Sequence, residues 1–533
     1  MAAAQPSVSG DQSRGGVFGR VVARMSDPSF YSPPPQTVDV RETHVSVVFL
    51  AGDRAYKLKK PVRMPFLDYS TLGRRRRFCN EEVRLNRRSA PDMYLGVRAI
   101  TERGRDLVLA DADDPAVLEY AVVMRRFDDE ATLDRLAERH AADEQLAEHV
   151  GTRVAELHMA APRAPADYWS AAYVGERLDE NFDTTRPEID TLVDTLTFDA
   201  VRRFSRTFLQ AHGPLLERRI AEGMVRDVHG DLRAEHVVIE PRGLSFVDCV
   251  DFDDRLRRID VAADLAFLTM DLERLGARVL AEAVERAYLA RTGDVELREL
   301  LPFYACYRAW VRAKVTALRI RQLDEGDLAR AELEQRARGL FALSLRLAWR
   351  ARLPLVIVLC GVAGSGKSTL AAELSARSGL PHLSSDRVRK ELAGVSADTP
   401  GPPELYTPEF TTRTYRELAA HTAAALESGA GAVVDATFHR RDQRALLHDI
   451  GARTLWVECT APEKTLRSRA TVRERAPEHG SDAMWRVTEA QLSAWEPLDD
   501  ISPGDRHVLR TDRPVELCLA ELDSFVSAAV DGG

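Results

Sequence analysis

The sequence lacks the marks of a secreted or membrane-bound protein. Its 533 residues hold six cysteines (Cys79, Cys249, Cys306, Cys360, Cys459 and Cys518), with no C-x-x-C pair and no zinc-type spacing. Scattered single thiols suit a reducing compartment and argue against a disulfide framework. No apolar run approaches the roughly 18–20 residues that a membrane span requires, and the amino terminus has no apolar core of the kind a signal peptide carries. A cytoplasmic location is expected. Lysine is scarce beside arginine and alanine, as in the proteins of a GC-rich bacterial genome. A net charge of −9 argues against a dedicated nucleic-acid binder. The remaining composition, 45% hydrophobic and 29% charged, is that of a soluble globular protein. The length predicts two or three domains.

What is present centres on residues 355–369. Leu355 to Leu359 are apolar and mostly β-branched, the pattern of a short buried strand. Gly361, Val362, Ala363, Gly364, Ser365, Gly366, Lys367 and Ser368 then complete G-x-x-x-x-G-K-S, and Thr369 begins a helical run. Strand, glycine-rich turn and helix in that order make a Walker A phosphate cradle. Backbone N–H groups and the positive end of the helix converge on an anion. Lys367 reaches the β and γ phosphates, and the Ser368 hydroxyl ligates Mg²⁺. ATP and Mg²⁺ are therefore the expected ligands.

Upstream, residues 1–25 read as disordered. Val45 to Leu50, a turn at Ala51 to Arg54, and Ala55 to Lys59 read as a hairpin. The basic run Arg74 to Arg77 precedes a helical pattern from Phe78, and Glu119 to Met124 forms a third strand. Residues 130–350 are mainly helical, interrupted by His229-Gly-Asp231 and by strands near Val237 and Leu244. The order strand–Lys, helix–Glu, His-Gly-Asp, strand–Asp resembles the aminoglycoside phosphotransferase and choline kinase branch of the protein-kinase-like superfamily, over residues 40–320. The resemblance implies that Lys57 (Lys59 its rival) meets the phosphates and is held by Glu82, with Glu81 second choice. It implies that Asp231 accepts the proton of the substrate hydroxyl. It further implies that Asp248 binds the metal, with Asp251 able to share it, and that Asp260 and Asp264 stabilise a helix start. Where the family places an Asn as second Mg²⁺ ligand, this chain has His236, and the kinase glycine-rich loop is replaced by Thr43 to Ser46. Arg308 and Arg312, four apart, form either a solvated basic stripe or a contact to an anionic substrate.

A helix with Ala337, Leu340, Phe341, Leu345, Ala348 and Trp349 on its buried face ends before Pro354, so the domain boundary is placed at 350–354. Beyond it, strands near Ala432 and Thr454 alternate with helices and predict a doubly wound parallel sheet. This region resembles the small P-loop kinases grouped with zeta toxins, polynucleotide 5′-kinases and chloramphenicol phosphotransferase. The resemblance implies that Asp386 accepts the hydroxyl proton, that Asp435 supports Mg²⁺ or substrate, and that Arg469, Arg473 and Arg475 form a charge-neutralising lid. A helix N-cap is the structural alternative for Asp386.

As a whole, the chain resembles bacterial proteins that fuse the two families. The expectation is a bilobal kinase-like domain at 26–350 and a P-loop domain at 351–533. Together they form an ATP- and Mg²⁺-dependent phosphotransferase acting on a hydroxyl of a small molecule, with no membrane partner and nucleic acid unlikely. Two alternatives remain: a 5′-hydroxyl polynucleotide kinase, and a regulatory nucleotide sensor with an inert kinase-like lobe.

Overall fold

A computed structural model describes residues 16–531, except 65–66, 166, 325, 397–402, 449 and 475–482, and except the side chains of 403, 473, 474, 483 and 484. The chain divides into two compact units, residues 1–170 with 217–297 and residues 171–216 with 298–533. The units therefore do not follow the expected linear boundary at 350–354. The helical stretches 171–216 and 298–350 cluster with the P-loop region. An aromatic core joins the two helical stretches to each other, since Trp310 lies 4.8 Å from the rings of both Phe182 and Phe341 and such pairs are favourable beyond the area they bury.

The first unit is built on an antiparallel sheet of six strands rather than the three expected. They are β1 (Val38–Glu42), β2 (Ser46–Ala51), β3 (Arg54–Lys59), β4 (Tyr94–Arg103), β5 (Asp106–Asp111) and β6 (Val117–Arg125), in the order β1-β2-β3-β6-β4-β5. The β2–β3 hairpin turns at Gly52, whose φ of 62° favours glycine. Alternation along β6 sends Ala121 and Val123 to one face and Tyr120 and Val122 to the other. The second face receives Cys79 and Val83 of α1 (Leu72–Asn86). That helix begins before the run Arg74 to Arg77 and absorbs it; Thr71 caps it, accepting from the Arg74 amide. The first face receives Val21 and Met25. The expected disorder of residues 1–25 is thus corrected for Val17–Met25, which form a helix: Phe18, Val21, Val22 and Met25 recur at helical spacing and have an apolar face to cover. Residues 1–15 lie outside the described residues.

After the hairpin β7 (Val237–Glu240) and β8 (Gly243–Phe246), α2 (Val261–Arg274) starts at Asp260, whose side chain accepts from the Ala262 amide. In the second unit, α3 (Leu297–Ile320) and α4 (Ala329–Arg350) precede the parallel sheet, and α4 buries the six residues its periodicity predicts. The sheet comprises β9 (Leu355–Cys360), β10 (His382–Ser384), β11 (Ala432–Asp435), β12 (Arg453–Thr460) and β13 (Arg506–Arg510), ordered β10-β11-β9-β12-β13. All its pairings are parallel. Every residue of the central strand β9 is buried, as expected of a strand covered on both faces.

Candidate functional site

The first unit gathers five ionisable side chains around Glu82 of α1. Strand alternation puts Lys57 and Lys59 on the same face of β3. Lys57 Nζ lies 3.0 Å from Glu82 Oε1 and 2.7 Å from Asp248 Oδ1. Lys59 Nζ lies 2.7 Å from Glu82 Oε2, 2.5 Å from Asp251 Oδ2 and 3.3 Å from the Tyr69 hydroxyl. Burial works against both charges, yet the carboxylates raise the pKa of each ammonium above the ordinary lysine range. Lys57, beside Asp248, holds that carboxyl well below the usual range. Three carboxylates surround two ammonium groups, so the cluster carries surplus negative charge. Burial raises Asp251, which is almost wholly covered, whereas the Asp248 side chain is 51% exposed. The two lysines therefore divide: Lys57 leads to the accessible acid and Lys59 closes the cluster from inside. Of the two acids expected to share a metal, Asp251 has Lys59 at 2.5 Å and the Tyr69 hydroxyl at 3.4 Å against its oxygens. Glu81 pairs instead with Arg84, at its own helix spacing, and with Arg257.

Asp231 sits on a loop held from beneath. Asp264, fully buried, accepts from the amides of His229 at 3.0 Å and Gly230 at 2.8 Å. Gly230 has φ of 84°, and a Cβ there would meet the Leu256 carbonyl oxygen at 2.8 Å. His229 Nε2 donates to Val247 O at 2.9 Å, and its Nδ1 accepts the Asp231 amide at 3.3 Å. Burial pushes the His229 pKa down from its ordinary 6.5 to about 4. The unfolded chain then binds a proton below pH 6.5 that the folded loop refuses until about pH 4, so stability is full above 6.5 and falls as pH drops through that window. The unfolding free energy from denaturant titration is expected to fall by about 2 kcal/mol between pH 7 and pH 5, and His229→Asn should flatten the profile.

Both ring nitrogens of His236 face protein groups. Its Nδ1 lies 2.8 Å from the Asp231 carbonyl oxygen, and Arg233 Nη2 lies 3.1 Å from its Nε2. Burial first, then the Arg233 charge, lowers its pKa below the ordinary histidine value. The Thr43–Ser46 turn satisfies itself, with Thr43 Oγ1 accepting the Ser46 amide at 3.0 Å. Asp248, an exposed oxygen donor with surplus negative charge behind it, fits a hard cation.

In the second unit the phosphate cradle lies between β9 and α5 (Lys367–Ser378). Gly361, Gly364 and Gly366 have φ of 144°, 79° and 89°. Gly361 N–H donates to Thr437 O at 3.1 Å, tying the loop to the end of β11. Asp435 lies in register with Leu359 of β9 and is 2% exposed; its Oδ1 lacks a hydrogen-bond partner among the described residues, and His382 stands 3.5 Å from Oδ2. Asp435 is a buried carboxylate with an unpartnered oxygen and Ser368 is exposed, and each is an oxygen donor of the kind Mg²⁺ takes. Asp386 is 56% exposed in the first turn of α6 (Ser385–Ala393), 3.0 Å from Lys390. The N-cap position belongs to Ser384, so capping does not explain Asp386.

Arg469 of α7 (Glu463–Glu474) lies against the cradle. It donates to Gly364 O at 3.0 Å and to Thr511 O at 2.6 Å. With Gly366, Thr369, Thr511 and Cys518 it lines a cavity of about 380 Å³. The Arg473 side chain and Arg475 lie outside the described residues. Arg308 is buried, which excludes a solvated stripe there.

Sequence reasoning missed Gln491 of α8 (Ala483–Ser493), whose Oε1 accepts the Ala363 amide at 2.7 Å, and Thr488, which donates to Ala363 O at 3.2 Å. A polar pair three residues apart on a helix gives no sign of its distant partner. An amide of the cradle is thus covered by a side-chain oxygen. Gln491→Ala is expected to tighten ATP binding about 2- to 10-fold, the worth of one hydrogen bond, as read by titration with a fluorescent nucleotide; weaker binding would make Gln491 a ligand-holding residue instead.

Comparison with known proteins adds the following. Residues 100–303 match the family described as Phosphotransferase enzyme family, and residues 356–498 match that described as AAA domain. Uncharacterized protein Rv2004c of Mycobacterium tuberculosis and Uncharacterized protein Mb2027c of Mycobacterium bovis are each 31% identical over 486 residues, covering 88% of this chain and 94% of the relative. Among solved structures, a sugar kinase from Janibacter is 22% identical over 33% of this chain and 94% of its own, with a TM-score of 0.26. A choline/ethanolamine kinase family protein from Mesorhizobium loti is 14% identical over 62% and 99%, with a TM-score of 0.37.

Proposed function

Starting from the premise that this chain belongs to one family with the mycobacterial proteins and joins a phosphotransferase-family region to a P-loop region, we propose that it moves the γ-phosphoryl of ATP to a hydroxyl of a small molecule. The observation that carries the reading is the cradle at Gly361 to Ser368, with a buried carboxylate bearing an unpartnered oxygen at the end of the adjacent strand β11. Backbone amides and Lys367 grip the phosphates. Ser368 and Asp435 would hold Mg²⁺ in this region, and Asp248 would hold it in the kinase-like lobe. When bound, the ion neutralises charge on the transferring phosphoryl. Asp386, exposed on the first turn of α6, accepts the proton of the acceptor hydroxyl. In the kinase-like lobe Lys57, oriented by Glu82, meets the nucleotide phosphates, and Asp231 receives the proton. Phosphoryl transfer asks mainly for positioning and charge neutralisation, and both residue sets supply these.

The test is transfer from γ-labelled ATP to pooled small-molecule alcohols and sugars, and in a parallel reaction to 5′-hydroxyl oligonucleotides. Asp386→Asn and Asp231→Asn are each expected to lower transfer to that region's own acceptor about 10²- to 10⁴-fold, the usual worth of a general base. A wild-type chain that hydrolyses or binds ATP yet labels no acceptor overturns the reading in favour of a nucleotide sensor. Labelling confined to oligonucleotide 5′ ends overturns it in favour of a polynucleotide kinase.

A further inference from the structure

We propose that the kinase-like lobe works with a single divalent cation, because the Arg233 guanidinium occupies the place a second one would take. The inference rests on the reading that this lobe binds ATP with a metal at Asp248. Arg233 Nε lies 3.0 Å from each oxygen of Asp231, and Nη2 lies 2.9 Å from Oδ2. The same Nη2 lies 3.1 Å from His236 Nε2. His236 Nδ1 faces the Asp231 carbonyl oxygen at 2.8 Å and must donate there, since a carbonyl only accepts. The remaining ring nitrogen therefore carries its lone pair towards the guanidinium. Its distance to Asp248 Oδ2 is 3.8 Å, so acid, imidazole and guanidinium form one group.

Kinases of this architecture hold two Mg²⁺, one on the acid that follows the catalytic loop and one on an amide oxygen of the loop itself. Here the loop position presents nitrogen rather than oxygen, and its lone pair is already engaged. Mg²⁺ discriminates against such a donor. A second dication would also have to displace a planar cation that cannot lose its proton and that makes a forked, charge-assisted pair with Asp231. The Arg233 side chain is only 11% exposed, so it has little room to swing aside. At Asp248 the situation is reversed: Lys57 takes one oxygen and the side chain remains half exposed. Arg233 thus supplies one positive charge permanently and fixes the rotamer of Asp231.

Counting Mn²⁺ by electron paramagnetic resonance on the full-length chain, saturated with adenylyl imidodiphosphate, tests this independently of turnover. The expected count is two per chain, one in the P-loop region and one at Asp248, against three for a two-metal lobe. Asp248→Asn should lower the count to one, and Arg233→Gln combined with His236→Asn should raise it to three. Three bound ions in the wild type overturn the proposal. So does a double variant that melts with the wild type and still binds two. A count that Asp248→Asn leaves unchanged overturns more, since the lobe then holds no metal there and the reading of it as an ATP-using site fails too.

Discussion

Glu82→Ala is expected to destabilise the kinase-like lobe by roughly 3–5 kcal/mol, the cost of removing one partner from a buried charge cluster. Glu82 is 1% exposed and stands between two ammonium groups at 3.0 and 2.7 Å. Its removal strands Lys59, which is buried to 2% and keeps only Asp251 and Tyr69. Lys57 is less exposed to the loss, because its side chain is 17% accessible and retains Asp248. A matched pair of changes separates charge from packing. Lys59→Met with Asp251→Leu removes both members of the inner ion pair, and replacing a buried pair by apolar groups of similar size is often close to neutral. Urea unfolding should therefore place the double variant within about 1 kcal/mol of the wild type and Glu82→Ala far below it. Equal losses in the two would mean that packing around Glu82, not charge, holds α1 to β3.

The second large effect concerns the cradle. Gly361→Ala should abolish measurable ATP binding, a fall of at least about 100-fold, equivalent to about 3 kcal/mol. The backbone at Gly361 has φ of 144°, and a Cβ there would lie 2.5 Å from the Cys459 carbonyl oxygen and 2.7 Å from Ser365 Oγ. Neither obstacle can give way cheaply: one is main chain of the adjacent strand β12, and the other is a fully buried side chain of the loop itself. The loop must move, and its amides lose their common focus. Gly394 provides the contrast. It has φ of 66° after α6, yet nothing lies within 4 Å of its virtual Cβ. Gly394→Ala should therefore cost only the strain of a left-handed residue, roughly 1–2 kcal/mol, and leave nucleotide affinity intact. Calorimetric titration of ATP·Mg into both variants checks the pair, and equal losses would contradict the account.

What the sequence disclosed was what it encodes locally. The cradle, the β2–β3 hairpin, the buried face of α4 and the His-Gly-Asp loop are each written within a few consecutive residues, so periodicity and turn chemistry suffice. The pairing of Lys59 with Asp251 spans 192 positions and could not be read from spacing; Lys59 shares a strand face with Lys57, so the pattern left it as a rival, and the two differ in burial. Gln491 and Thr488 reach the cradle from 128 and 125 positions away. The helix Val17–Met25 went unseen because an Ala-, Gly- and Ser-rich lead-in masked four apolar residues at helical spacing. Arg233 was the nearest miss, since a guanidinium two residues from an acid and three from a histidine can close on both.

The central claim is that residues 361–369 grip a triphosphate with Lys367 neutralising it. Isothermal titration of the full-length chain with ATP·Mg is the direct measurement. The account predicts saturable binding with Kd in the micromolar to millimolar range usual for enzyme substrates, at a site that Lys367→Ala weakens about 100-fold, or about 3 kcal/mol. No saturable binding in the wild type, or unchanged binding in Lys367→Ala, would contradict it.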